Sequence, residues 1–189
     1  MNSKISVIIP TYNSEKYITR CLDSLKAQTK MPYEIIIVND NTLDILTNYE
    51  GLKLDVITIE NHGQGYARNL ALSKAKGDYI WFVDSDDTVS NNAIEQLTNI
   101  INKECVDVIN FNYSITNLKG KIKRYNKFEK QPYMVEGKAC SILLSNNLYF
   151  TVNNLYNKKF LIDNNIKYGE GYIYEDYEFW VEVSINARK

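Results

Sequence analysis

Four short apolar runs divide the first half of the chain: Ile5 to Ile9, Glu34 to Val38, Leu54 to Ile59 and Tyr79 to Val83. Each has the length and β-branched content of a strand, and Pro10 stops the first. Helical spacing fills two of the gaps. Tyr17, Ile18, Cys21, Leu22 and Leu25 predict a helix capped by Asn13 or Ser14 and running to about Gln28. Ala67, Leu70, Ala71, Leu72 and Ala75 form the inner side of a helix over Gly65 to Lys76. Thr42 to Tyr49 is a short helix candidate. Strand and helix in this rhythm build right-handed βαβ units, hence an α/β fold with a Rossmann-like, mainly parallel central sheet flanked by helices.

The second half reads differently. Asn92 to Lys103 is a helix and Val106 to Phe111 a strand. Tyr113 to Thr116 and Ile122 to Tyr125 flank Asn117-Leu118-Lys119-Gly120 as a small hairpin. A helix over Val135 to Ser145, a strand over Val152 to Tyr156, a short helix over Lys158 to Asp163 and a last helix over Glu175 to Ala187 follow. No repeat or linker interrupts the chain, so its 189 residues predict a single domain.

Bulk properties narrow the function classes. A formal net charge of −1 argues against a nucleic-acid partner, which calls for a basic surface. No apolar run has the length of a membrane span, and Ile5 to Pro10 is too short for a signal peptide. The expected location is therefore the cytoplasm. Cys21, Cys105 and Cys140 are widely spaced, with no metal-binding or disulfide pattern; Cys21 and Cys140 read as small core residues. His62 is the single histidine, and its neighbours suggest no nucleophilic triad.

The chemistry gathers at strand ends. The first strand ends in Pro10-Thr11-Tyr12-Asn13, the second in Asn39-Asp40, and the fourth in Asp84-Ser85-Asp86-Asp87. In a parallel sheet these ends share one edge, where open α/β sheets place ligands. Crowded carboxylates repel, and a divalent cation relieves that repulsion. The plainer alternative is a solvated turn in which Asp87 or Ser90 caps the next helix. Asn61-His62-Gly63-Gln64-Gly65 precedes Arg68, which suits either a phosphate or a structural ion pair. Glu175 and Asp176 fall at a predicted helix N-terminus, where the dipole favours negative charge. Tyr172, Tyr174, Tyr177 and Trp180 surround them with rings that stack on sugars or bases, or simply pack.

The ordered motifs P-T-Y-N, V-N-D, N-x-G-x-G-x-A-R-N, G-D-Y-I-x-F-x-D-S-D-D and Y-E-D-Y-E-F-W, from Ile5 to Trp180, resemble the inverting glycosyltransferases of family 2. That resemblance implies the GT-A-type nucleotide-diphospho-sugar transferase fold, with the hairpin after the D-x-D motif. It implies a nucleoside diphosphate sugar donor, usually uridine-linked, and Mn²⁺ or Mg²⁺. Carried over, Asp40 resembles the base-recognising aspartate, and Pro10, Thr11 and Tyr12 line the nucleotide. Asp84 resembles the first D-x-D aspartate near ribose and metal, with Ser85 beside it, and Asp86 the metal-coordinating one. Arg68 lies in the segment flanking the nucleotide. Asp176 resembles the general base. Residues 1–111 would form the nucleotide-sugar half and 112–189 the acceptor-side half.

The implied activity is an inverting, metal-dependent transfer of a hexosyl or N-acetylhexosaminyl group in polysaccharide or glycolipid biosynthesis. The acceptor would be a sugar or a lipid-linked saccharide. Three features depart from the family pattern. Asn41-Thr42-Leu43-Asp44 replaces the usual Gly-Ser-x-Asp, Ala71 stands where glycine is common, and the chain ends soon after Asp176. That ending predicts a catalytic-domain fragment whose last helix exposes Phe179, Val181, Val183 or Ile185. A non-catalytic nucleotide-sugar-binding module is the alternative. A nucleotidyltransferase fits less well, because Pro10-Thr11-Tyr12-Asn13 is not a Gly- and Arg/Lys-rich triphosphate loop. Lys119, Lys121, Lys123, Arg124, Lys127 and Lys130 interleave with Tyr125, Phe128 and Tyr133. They read either as a solvated hairpin or as peripheral contact with an anionic lipid at the inner face of the membrane.

Overall fold

The computed structural model describes residues 3–40, 49–117, 121–126, 134–145 and 151–189. The first half follows the expected rhythm: β1 (Ile5–Thr11), α1 (Ile18–Lys26), β2 (Glu34–Asp40), β3 (Leu54–Ile59), α2 (Gly63–Lys74) and β4 (Tyr79–Phe82). Then come α3 (Ala93–Ile101), β5 (Val108–Asn110), β6 (Tyr113–Thr116), β7 (Ile122–Asn126), α4 (Lys138–Ser145), β8 (Asn154–Asn157), α5 (Lys158–Asp163) and α6 (Asp176–Asn186). Residues 42–48 of the short helix candidate, and the 41–44 turn, lie outside the described residues.

The main sheet has six strands in the order β3-β2-β1-β4-β8-β5. β1 pairs in parallel with β2 on one side and β4 on the other, and β3 pairs in parallel with β2. β8 enters between β4 and β5 and runs antiparallel to both. β6 and β7 form the expected hairpin as a separate two-stranded sheet.

Strand alternation explains the two cores. Ile8, Ile36, Val38, Ile80 and Phe82 face α2, α5 and α6. Val7, Ile9, Ile35, Ile37 and Trp81 face the other way, against Ile18, Cys21, Leu22 and Leu25 of α1 and Ile94 and Leu97 of α3. Successive side chains point to opposite faces, so a strand buried on both faces must be apolar throughout. Helices on both faces make the sheet doubly wound. β1 is the strand from which the order departs in both directions, so a crevice opens between the carboxyl ends of β1 and β4.

Two expectations change. α1 starts at Ile18 rather than directly after Asn13 or Ser14, with no side-chain cap. The Ser14 carbonyl accepts from the Tyr17 and Ile18 amides, while its hydroxyl is used elsewhere. The last helix does not expose the expected apolar face. Phe179, Trp180 and Val183 of α6 are buried in the core beside α2, and of the four expected residues only Ile185 is exposed. Cys21 and Cys140 are buried core residues, as expected. Among the described residues, no helix is long and apolar enough to cross a membrane.

Candidate active site

A cleft of about 850 Å³ lies over the carboxyl ends of β1, β2 and β4. That volume falls in the usual range for small-molecule sites, roughly 300–1,000 Å³. Pro10 and Thr11 line it from β1, Tyr12 from the residue after it and Asp40 from β2. Asp84, Ser85 and Asp86 line it from the loop after β4. The structure thus brings together seven of the nine sequence-predicted site residues. The other two, Arg68 and Asp176, sit just behind the wall and one residue beyond it.

Each lining residue is held by its own contacts. The Thr11 hydroxyl donates to the Val38 carbonyl at 3.4 Å and to Asn39 Oδ1 at 3.3 Å, pinning β1 to β2. Tyr12, in contrast, is exposed. Asp40 is only 4% exposed. Its Oδ1 accepts from the His62 amide at 3.1 Å and its Oδ2 from the Gly63 amide at 2.6 Å. It therefore satisfies orphan amides at the start of α2 and complements the helix dipole. A carboxylate has about four acceptor positions, so each oxygen keeps capacity for a ligand N–H or O–H.

The acidic loop after β4 is tied to α1 and its approach. The Ser14 and Ser85 hydroxyls share a hydrogen bond of 2.7 Å. Arg20 Nη2 donates to the Asp86 carbonyl at 2.6 Å, and the Cys21 thiol lies 3.7 Å from the Asp84 carbonyl. These contacts hold three carboxylates close together. Burial, then the neighbouring Asp84 and Asp86 charges, push the Asp87 carboxyl up to about 6. The alternative in which Asp87 or Ser90 caps the next helix does not form: α3 has Asn92 at its N-cap and no side-chain cap bond.

Arg68 is buried and does not line the cleft. Its Nη2 donates to Asp84 Oδ1 at 2.7 Å and to Gln64 Oε1 at 3.1 Å, and its Nη1 donates to Glu175 Oε1 at 2.7 Å. The ring of Tyr168 lies 5.0 Å from the guanidinium carbon. Of the two sequence readings, the structure forms the ion pair. Burial opposes the charge, but Tyr168, Asp84 and Glu175 outweigh it and hold Arg68 firmly protonated.

Asp176 is the first residue of α6, half-buried, and adjoins Glu175, which does line the cleft. Its carboxyl is raised above the ordinary aspartate range, by burial first and then by the Glu175 charge. Arg68 pulls the other way and Asp84 adds to the rise, so the field at Asp176 includes the donor-side residues.

Several lining residues lie outside the nine predicted ones, and of these Gly169 and Gly171 carried no sequence signal. Asn61, His62, Gly63 and Gln64 form the wall at the α2 N-terminus, and Gly169, Gly171, Tyr172 and Ile173 close the far side. The N-x-G-x-G spacing pointed to the first group. Gly65 explains the junction of the two: a Cβ there would lie 1.8 Å from the Gly169 carbonyl oxygen. No local pattern marks Gly169, 104 positions along the chain from Gly65 (169 − 65). Of the basic–aromatic segment, Lys121 and Lys123 are exposed; Lys119, Lys127, Phe128, Lys130 and Tyr133, and the side chains of Arg124 and Tyr125, lie outside the described residues.

Known proteins share this arrangement. The family model described as "Glycosyl transferase family 2" matches residues 6–166. The poly(ribitol-phosphate) beta-N-acetylglucosaminyltransferase TarS of Staphylococcus aureus is 32% identical over 198 residues, spanning 98% of this chain and 33% of that protein. A poly(ribitol-phosphate) beta-glucosyltransferase of Bacillus spizizenii is 44% identical over 115 residues, 56% of this chain and 18% of its own length. The crystal structure of TarS 1-349 in complex with UDP-GlcNAc superposes with a TM-score of 0.80 at 32% identity, covering 97% of this chain and 54% of that one. The chain therefore spans a third or less of the full length of these two curated relatives. Its six-stranded mixed sheet with flanking helices is the GT-A-type architecture that the motifs implied. Motifs, topology and cleft agree with these matches, and the chain belongs to glycosyl transferase family 2.

Proposed function

We propose that this chain is the donor-binding and catalytic part of an inverting glycosyltransferase. It would move a hexosyl or N-acetylhexosaminyl group from a uridine-diphosphate sugar to an acceptor hydroxyl. One observation carries the reading: carboxylates from β2 and the loop after β4 share a single cleft with the segment leading into α6, at the topological switch point. The UDP-GlcNAc complex of TarS supports the choice of donor.

In this reading Asp40 accepts from the base and Thr11 and Tyr12 flank the nucleoside. A hard divalent cation, Mn²⁺ or Mg²⁺, fits the loop after β4, because Asp84 and Asp86 offer hard oxygen donors facing one cleft. Among the described residues, no three such side chains are set to cage an ion by themselves. The ion's remaining positions would fall to diphosphate and water, the usual pattern for Mg²⁺. When bound, it would neutralise charge on the departing diphosphate. Asp176 takes the proton from the acceptor hydroxyl as the oxygen attacks the anomeric carbon in line, so the configuration inverts. The sugar or lipid-linked acceptor would enter beside Tyr172 and Ile173. A cytoplasmic site, with peripheral contact at the membrane's inner face, belongs to the same proposal.

The test is thermal unfolding with UDP and GDP, each with and without Mn²⁺. A ligand that binds the native state alone raises Tm, by about 2.7 kcal/mol of stabilisation at a hundredfold excess over Kd. Stabilisation by UDP that grows with Mn²⁺ is expected. Equal indifference to both nucleotides would refute the donor assignment.

A further inference from the structure

The Glu175–Asp176 pair offers two carboxylates for one proton transfer. Position alone favours Glu175, which lines the cleft when Asp176 does not. The contacts argue against it. Glu175 Oε1 accepts from Arg68 Nη1 at 2.7 Å, and Arg68 Nη2 reaches Asp84 Oδ1 at the same distance. The Arg68 side chain is 4% exposed, so its N–H groups depend on these acceptors. Glu175 Oε1 is thus committed as an acceptor to a buried guanidinium, which is a positioning task.

Glu175 and the turn around it are also held by main chain. The Gly169 amide donates to the Glu175 carbonyl at 2.9 Å, and the Tyr177 amide donates to the Tyr174 carbonyl at 3.1 Å. Arg68 and Glu175 are 107 positions apart, so the ion pair joins the donor-side loop to the start of α6 across the sequence. The guanidinium fork reaches the two carboxylates through separate nitrogens, whereas an ammonium would have to serve both from one.

We propose that Arg68 and Glu175 are positioning residues. The guanidinium is a strut that locks the Asp84 loop to the first turn of α6, and so fixes the next residue, Asp176, in place as the acceptor-side base. The catalytic half of this statement rests on the glycosyltransferase reading; the strut does not.

The charges make a clean experiment available. Arg68 carries one positive charge against Asp84 and Glu175. E175Q leaves a balanced Arg68–Asp84 pair, and its amide oxygen can still accept from Nη1. E175A removes the link. In the intact chain, E175A should lower kcat for UDP release from UDP-N-acetylglucosamine, with water as acceptor, by about tenfold or more, while the UDP Kd stays within about threefold. E175Q should remain within about threefold of the parent on both measures. R68K should resemble E175A in kcat.

Hydrogen exchange gives a readout that needs no turnover. The Gly169 and Tyr177 amides should exchange roughly tenfold faster in E175A and near the parent rate in E175Q. If E175Q is as inactive as E175A while those amides are unchanged, Glu175 acts through its charge as the base, and the proposal is overturned. If the parent releases no UDP, N-acetylglucosamine is not the transferred sugar, and exchange alone decides the strut. Faster exchange in E175A with rescue in E175Q upholds it, and unchanged exchange in E175A sinks it.

Discussion

Asp176, the proposed base, sits under electrostatic constraint from its neighbours. Burial and the Glu175 charge raise its carboxyl, against the pull of Arg68. A base must be ionised to act, so transfer should be present above that raised value and lost as pH falls through it. The acid limb of kcat should therefore lie above the ordinary aspartate value of about 3.9. D176N should cut transfer by about 10²–10⁴-fold, abolish that limb and leave UDP affinity near the parent's. Near-parental transfer by D176N would remove Asp176 from the mechanism. From sequence, the tandem acid pair before an apolar helix is a local signal that marks Asp176 as a helix-start acid, and its proposed role as base comes from the family resemblance. Arg68 was harder: its spacing suited a phosphate or an ion pair, and the deciding partner, Glu175, is distant in sequence. Asp40 was legible as a strand-end acid, but not as the group that holds the His62 and Gly63 amides.

Among the elements, α2 best separates competing effects. Gly65 lies in its first turn, where helix propensity alone would reward alanine by about 1 kcal/mol. The backbone denies that gain. An added Cβ would sit 1.8 Å from the Gly169 oxygen and 3.2 Å from Glu175 Cβ, and the first obstacle is main chain. Overpacking of this kind costs about 1–3 kcal/mol, so G65A should be net destabilising in urea unfolding despite the better helix former. It should also weaken UDP binding, because the segment from Gly169 to Glu175 must move off α2. A stabilised G65A would mean that the segment yields freely. Element identity was readable wherever a periodic apolar face recurs, as in α1 and α3. A strand was readable over Val152 to Tyr156, two residues early for β8 at its start, but not its antiparallel insertion between β4 and β5. Strand order depends on long-range pairing, which a short local pattern does not encode.

For the whole molecule, topology sets where function can sit. α1 packs on one face of the sheet and α2 on the other, and the strand order departs from β1 in both directions. The resulting crevice gathers polar ends from strands that are otherwise largely apolar, which is why the proposed ligand contacts fall on their terminal residues. The β6–β7 sheet is separate from this arrangement, and Ile115 and Ile122 on it are exposed. A nucleotide in the cleft should therefore leave a distinct footprint. With saturating UDP and Mn²⁺, hydrogen exchange should slow at the His62 and Gly63 amides, which already point at Asp40, and at the Asp87 amide, which donates to the Asp84 carbonyl. The amides pairing Tyr113 to Thr116 with Ile122 to Asn126 should keep their rates. Mass spectrometry of exchanged peptides resolves the two regions. Slowing confined to the hairpin would place the nucleotide away from the switch point, and the chemistry assigned to Asp40, Asp84 and Asp86 would have no donor to act on.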